Sequence, residues 1–165
     1  MIRGINVLFS GLQEHVGQER VHQFVRAIEA LLLPDTGKTK KQFVSRCQTF
    51  ASPGPDTVSV LQEAFDMRSD TEHLQDWNRA VLAHPVARRE DVCLQRTRQM
   101  EQLACGAYSR LLQNAALWAY FHSDADIADF WKLPEDHRRA AWGPPLDISA
   151  EPLCSKYHPI GRAME

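Results

Sequence analysis

The sequence has no pair of cysteines close enough to act together. Cys47, Cys93, Cys105 and Cys154 are widely spaced and no C-x-x-C occurs, which removes zinc-ribbon and thioredoxin-type chemistry. Four free, mostly buried thiols in a reducing cytoplasm is the plain reading. Long apolar runs are also missing: nothing approaches the ~20 residues needed to span a bilayer, so no membrane segment is expected. The start, Met1 to Phe9, is short and lacks a small-residue cleavage site, so no signal peptide is read there. There is no excess of positive charge either. A formal net charge of −2 and a pI of about 6.4 argue against a protein that coats nucleic acid non-specifically, although a local basic patch remains compatible. Strand-like alternation, internal repeats, low-complexity tracts and glycine-rich phosphate loops are all lacking. No cofactor is expected.

What is present is helical periodicity. At 165 residues the chain is long enough for one domain with a sizeable core. The pattern predicts an all-α, compact up-down bundle of about five helices. Short helices are expected over about 5–15, 18–33 and 39–50, the second with Val21, Phe24, Val25, Ile28, Leu31 and Leu32 on one face. A fourth starts near Thr57, capped by Asp56 or Thr57, and it, or two pieces of it, can continue to Leu82. The fifth, about 89–121, carries a stripe of Cys93, Thr97, Met100, Ala104, Ala107, Leu111, Asn114 and Trp118. It is expected to be the central spine, roughly 45 Å long. Residues 1–121 are read as the helical domain. Residues 122–165 are read as a partly irregular extension packed on it, with one more helix over Asp126 to Trp131, then rich in proline and anchored by Trp131 and Trp142.

One residue breaks the pattern. On the fourth helix Val60, Leu61, Ala64, Phe65, Met67 and Leu74 share an apolar arc, and Arg68 falls near its middle. A permanent charge on a core face needs a partner or a task. His73, five positions on, can move protons near neutral pH. The spacing alone is weak. With 14 arginines and 7 histidines, about two arginine–histidine pairs of this kind arise by chance. Arg79 and His84 form another, read as an exposed helix end.

Context separates the two. Arg26-Ala27-Ile28-Glu29-Ala30-Leu31-Leu32 reads as an x-E-A-L-L helix, and Phe43-Val44-Ser45-Arg46-Cys47 opens a second helix containing an arginine. Phe65-Asp66-Met67-Arg68-Ser69-Asp70-Thr71-Glu72-His73 then reads as aromatic-x-x-R-S-x-x-x-H, and a long amphipathic helix comes after it. Over Val21 to Asn114 this order resembles the HEPN superfamily (higher eukaryotes and prokaryotes nucleotide-binding), especially its Apea-like branch. The resemblance implies an all-α bundle. It also implies a metal-independent endoribonuclease whose R-x4-H motif is often completed across a homodimer, as in toxins and antiviral defence effectors. Toxins of this kind often have a nucleotidyltransferase-like antitoxin. Arg68 and His73 would be the catalytic pair. Ser69 takes the polar position after the arginine, where active members often carry Asn, Asp or His, with Asp70 beside it. Members without catalysis bind nucleotide, RNA or protein instead.

The implied chemistry is simple. The RNA 2′-hydroxyl attacks the adjacent phosphate. His73 takes that proton or protonates the leaving oxygen, and Arg68 grips the phosphate oxygens in the pentavalent transition state. The products carry a 2′,3′-cyclic phosphate and a 5′-hydroxyl. In a straight helix, however, His73 lies about 140° around from Arg68. A joint site therefore needs a kink, a helix end between Ser69 and Glu72, or a second subunit.

The plainer reading makes Arg68 half of a buried salt bridge with Glu29, and His73 a solvent-exposed side chain held by Ser69 or Asp70. Lys40, Lys41 and Arg46, with Lys38, are candidate RNA phosphate contacts. Arg88, Arg89, Arg96 and Arg98 form a second basic group, and a solvated charged face is the plainer reading of both. His122, Asp124 and Asp126 match no metal-ligand spacing and read as a capping turn.

Overall fold

The computed structural model describes residues 2–75 and 79–149. Their secondary structure is all-α: eight α-helices and no strand among the described residues, with one isolated parallel bridge between Ala51 and Leu146. No helix among them is long and apolar enough to cross a membrane.

Helix α2 (Gly17–Leu32) is the hub. Val21, Phe24, Val25, Ala27, Ile28, Leu31 and Leu32 are fully buried on it. These residues cover more than one stripe, and α2 accordingly packs against several helices at once. Helix α1 (Ile2–Gln13) lies antiparallel along it at close range. Two glycines permit this. A Cβ at Gly11 would sit 2.9 Å from the Phe24 ring, and one at Gly4 would collide with the Tyr108 hydroxyl. That hydroxyl donates a 2.8 Å hydrogen bond to the Ala27 carbonyl. Burial pushes the Tyr108 phenol well above its usual range, which keeps it a neutral donor.

Helix α3 (Thr39–Cys47) buries Phe43 and Cys47, with Phe43 5.4 Å from the Phe65 ring. Helix α4 (Pro55–Glu72) begins earlier than expected. Pro55 occupies the first helical position, where a missing N–H costs nothing, and Gly54 precedes it, so neither Asp56 nor Thr57 is the cap. The helix also ends at Glu72 instead of running towards Leu82. Leu74 adopts a left-handed φ of 54°. Its N–H donates to the Thr71 carbonyl (3.1 Å) and the Gln75 N–H to the Asp70 carbonyl (2.7 Å). This is a Schellman ending with leucine in the place glycine usually takes.

Helix α5 (Arg89–Gln113) is the longest but not the spine, and at 25 residues it spans roughly 37 Å. It stops because Asn114 turns extended and its side chain accepts from the Leu117 N–H, starting the short helix α6 (Ala115–Trp118). Helix α7 (Asp124–Lys132) opens on a capping box between Ser123 and Asp126. The remainder is more regular than its prolines imply, since it forms a further helix, α8 (Glu135–Trp142). Trp142 stacks on Phe50 with centroids 4.0 Å apart, and the Trp131 indole donates to the Leu31 carbonyl at 3.0 Å. Cys154, Pro152 and Pro159 lie outside the described residues.

Candidate functional site

Helices α2 and α4 pack face to face and place Arg68 against Glu29. The Arg68 Nη2 lies 3.3 Å from Glu29 Oε2, and its Nη1 pairs with the Glu72 carboxylate one turn along α4. The guanidinium carbon is also 5.8 Å from the Phe65 ring. The arginine side chain is 17% exposed and that of Glu29 12%, so the pair is largely removed from water. Burial pushes the Glu29 carboxyl above its usual range. The Arg68 charge pulls it back, while the Glu72 carboxylate adds to the upward push. The buried His22 on α2 faces the same stretch, its Nδ1 3.5 Å from the Arg68 carbonyl oxygen.

His73 is elsewhere. Helix α4 is unbroken through Glu72, so the turn of about 140° between positions 68 and 73 is retained. Arg68 faces α2. Asp66, Ser69, Asp70 and His73 line a separate cleft of about 420 Å³, completed by Gln75, Arg79 and Ala80. His73 is exposed, and its backbone N–H closes the helix on the Ser69 carbonyl at 3.1 Å. Its ring makes no hydrogen bond among the described residues. Within one chain, then, the two motif residues are not brought together.

The other candidates separate as well. Lys40 forms a two-oxygen salt bridge with Asp66 at 2.6 and 2.7 Å. Lys41 is exposed. Arg46 donates to the Leu32 and Leu33 carbonyls, the latter at 2.9 Å, and lies 5.3 Å from the Trp131 ring. It closes the C-terminal end of α2 and is not free for a phosphate. Asp126 serves the capping box, and no group of three or more His, Cys, Asp or Glu side chains among the described residues is placed to hold a metal ion.

Arg79 and His84 part company too. Arg79 lines the His73 cleft and bonds Gln75. His84 is half-buried, its Nε2 2.9 Å from Glu63 Oε1, so it is not an exposed helix end. The other Glu63 oxygen accepts from Arg96 Nε at 2.8 Å. Arg96 Nη1 donates to Gln99 Oε1 (2.9 Å), and Gln99 Nε2 donates to the Ile148 carbonyl (2.7 Å). Arg96 is 8% exposed and Gln99 1%. Sequence reasoning missed this network by reading Arg96 as part of a solvated basic group. The signal was there: Arg96 lies three residues after Cys93 and four before Met100, on the apolar stripe of α5, just as Arg68 lies on that of α4.

No family model, curated protein or solved structure matches this chain.

Proposed function

We propose that this protein is a HEPN-like helical module that works by binding a protein partner and does not itself cut RNA. The observation that carries this reading is the engagement of Arg68. Its guanidinium is largely buried and shared between the Glu29 and Glu72 carboxylates. To grip a phosphate it would have to give up both, leaving two carboxylates beside an incoming anion. On its α4 wall the cleft that holds His73 carries the Asp70 carboxylate, which repels a phosphodiester, beside an Asp66 already paired with Lys40. Of the expected phosphate contacts, Lys40 and Arg46 are engaged within the fold.

One observation favours a second reading, a metal-independent endoribonuclease completed in a homodimer. The His73 ring stands exposed at a helix end, in a polar cleft that also carries Arg79. A second chain could bring a cation to that position.

Incubating the purified chain with total RNA and EDTA, beside His73→Ala and Arg68→Ala, separates the readings. The binding-module reading expects intact RNA in all three. Cleavage that vanishes in a folded His73→Ala variant, leaving 2′,3′-cyclic phosphate ends in the native digest, would overturn it.

A further inference from the structure

The surface between α3 and α4 holds a groove of about 580 Å³, lined by Lys40, Lys41, Val44, Ser45, Gln48, Val58 and Gln62. The Lys40–Asp66 and Phe43–Phe65 contacts put the two helices antiparallel. Val58, Gln62 and Asp66 therefore succeed one another along the α4 wall, over about 12 Å at 1.5 Å per residue. The Lys40–Asp66 salt bridge closes one end. The groove's aliphatic lining comes from Val44 and Val58, both half-buried. The rim is hydroxyl, amide and ammonium, and the carboxylate at its end, Asp66, is taken up by Lys40.

Charge placement gives the groove a direction. Lys40 and Lys41 lie in the first turn of α3, two and three residues after Lys38, and that turn holds no acidic residue. Cations there oppose the helix field and weaken the isolated helix. Lys40 is answered by Asp66, but Lys41 is exposed at the groove edge without an ion pair among the described residues. A carboxylate brought by a partner would answer both Lys41 and the helix field. The lining also argues against RNA. It has no aromatic ring and no arginine on which a base could stack, whereas single-stranded nucleic acid sites rely on such platforms.

We infer that the α3–α4 groove is a docking site for an acidic amphipathic helix of a partner protein. Apolar side chains one turn apart rest on Val44 and Val58, and a Glu or Asp meets Lys41. This builds on the binding-module reading but is tested apart from it.

The test uses the full isotope-labelled chain and a fluorescent model peptide of about five helical turns, with leucines on one face and glutamates beside them. A copy with lysine for every glutamate and a labelled oligouridylate are the comparison probes. Saturable binding of the glutamate peptide is expected, with amide shifts centred on Val44, Ser45, Gln48, Val58 and Gln62. Lys41→Glu, at an exposed position, should weaken it about tenfold and shift preference to the lysine peptide. Val58→Thr should weaken it about fivefold while the fold holds. No saturable binding, unchanged affinity in Lys41→Glu, or larger shifts at these amides with oligouridylate would overturn the inference. If the peptide fails while RNA stays intact, only the groove assignment falls. RNA cleavage that depends on His73 removes the binding-module reading even if the peptide binds.

Discussion

Arg68 and Glu29 meet across two helices in a setting too dry for either charge alone. Truncating one partner strands the other, so Arg68→Met should cost about 3–5 kcal/mol in a urea denaturation. Replacing both by methionine should recover most of that loss, because an apolar pair of similar volume needs no solvation. The double variant has a second readout. Glu29 holds its proton more tightly folded than unfolded, since burial raises its pKa. Its contribution to stability is therefore full below the ordinary carboxylate pKa and falls as pH rises through the raised folded value. Removing Glu29 should flatten that part of the stability profile, measured by thermal melts across mildly acidic pH. A double variant as unstable as Arg68→Met alone would contradict the pairing. Arg68 was legible in the sequence because a fixed charge interrupted a clean apolar arc. Arg96 carried the same mark but was hidden among Arg88, Arg89 and Arg98, where one-dimensional clustering resembles a solvated face.

Helix cores were more legible than helix ends, and the end of α4 shows why. Periodicity continues past His73, and no Gly or Pro interrupts it, yet the chain turns at Leu74 with φ 54°. That conformation costs a non-glycine residue roughly 1–2 kcal/mol, and Leu74 is 94% exposed, so packing returns nothing. Beyond the turn the chain comes back to α4, where His84 Nε2 lies 2.9 Å from Glu63 Oε1. That contact is tertiary, 21 residues apart in sequence, and leaves no local trace at Leu74. Leu74→Gly should therefore stabilise the protein by about 1 kcal/mol, the relief of strain being partly offset by a more flexible unfolded chain. Chemical denaturation checks this, and a loss of stability would show that the leucine has a contact that matters. The stop after Gln113 differs in kind. Asn114 is a good N-cap, so that break had a local cause within the sequence.

At the scale of the whole molecule, the polar network centred on Glu63 ties distant stretches of chain to one another. It joins α4, the turn that carries His84, α5 and the backbone at Ile148. Apolar contacts alone would let each segment loosen separately, because each buries its own small area. A shared charged centre couples them. Glu63→Ala would leave Arg96 buried without its carboxylate, at a cost of about 3–5 kcal/mol. It would also remove the His84 anchor in the same step. Arg96 would then turn towards solvent and draw Gln99 away from the Ile148 carbonyl. Hydrogen exchange should accordingly rise together in residues 79–88 and 144–149, while the α1–α2 pair, held by Gly4, Gly11 and Tyr108, keeps its protection. His84→Ala serves as the control. It releases the turn but leaves the Arg96–Glu63 pair, so exchange should rise in 79–88 only. If Glu63→Ala loosened one segment without the other, the network would be two independent contacts that happen to share a side chain.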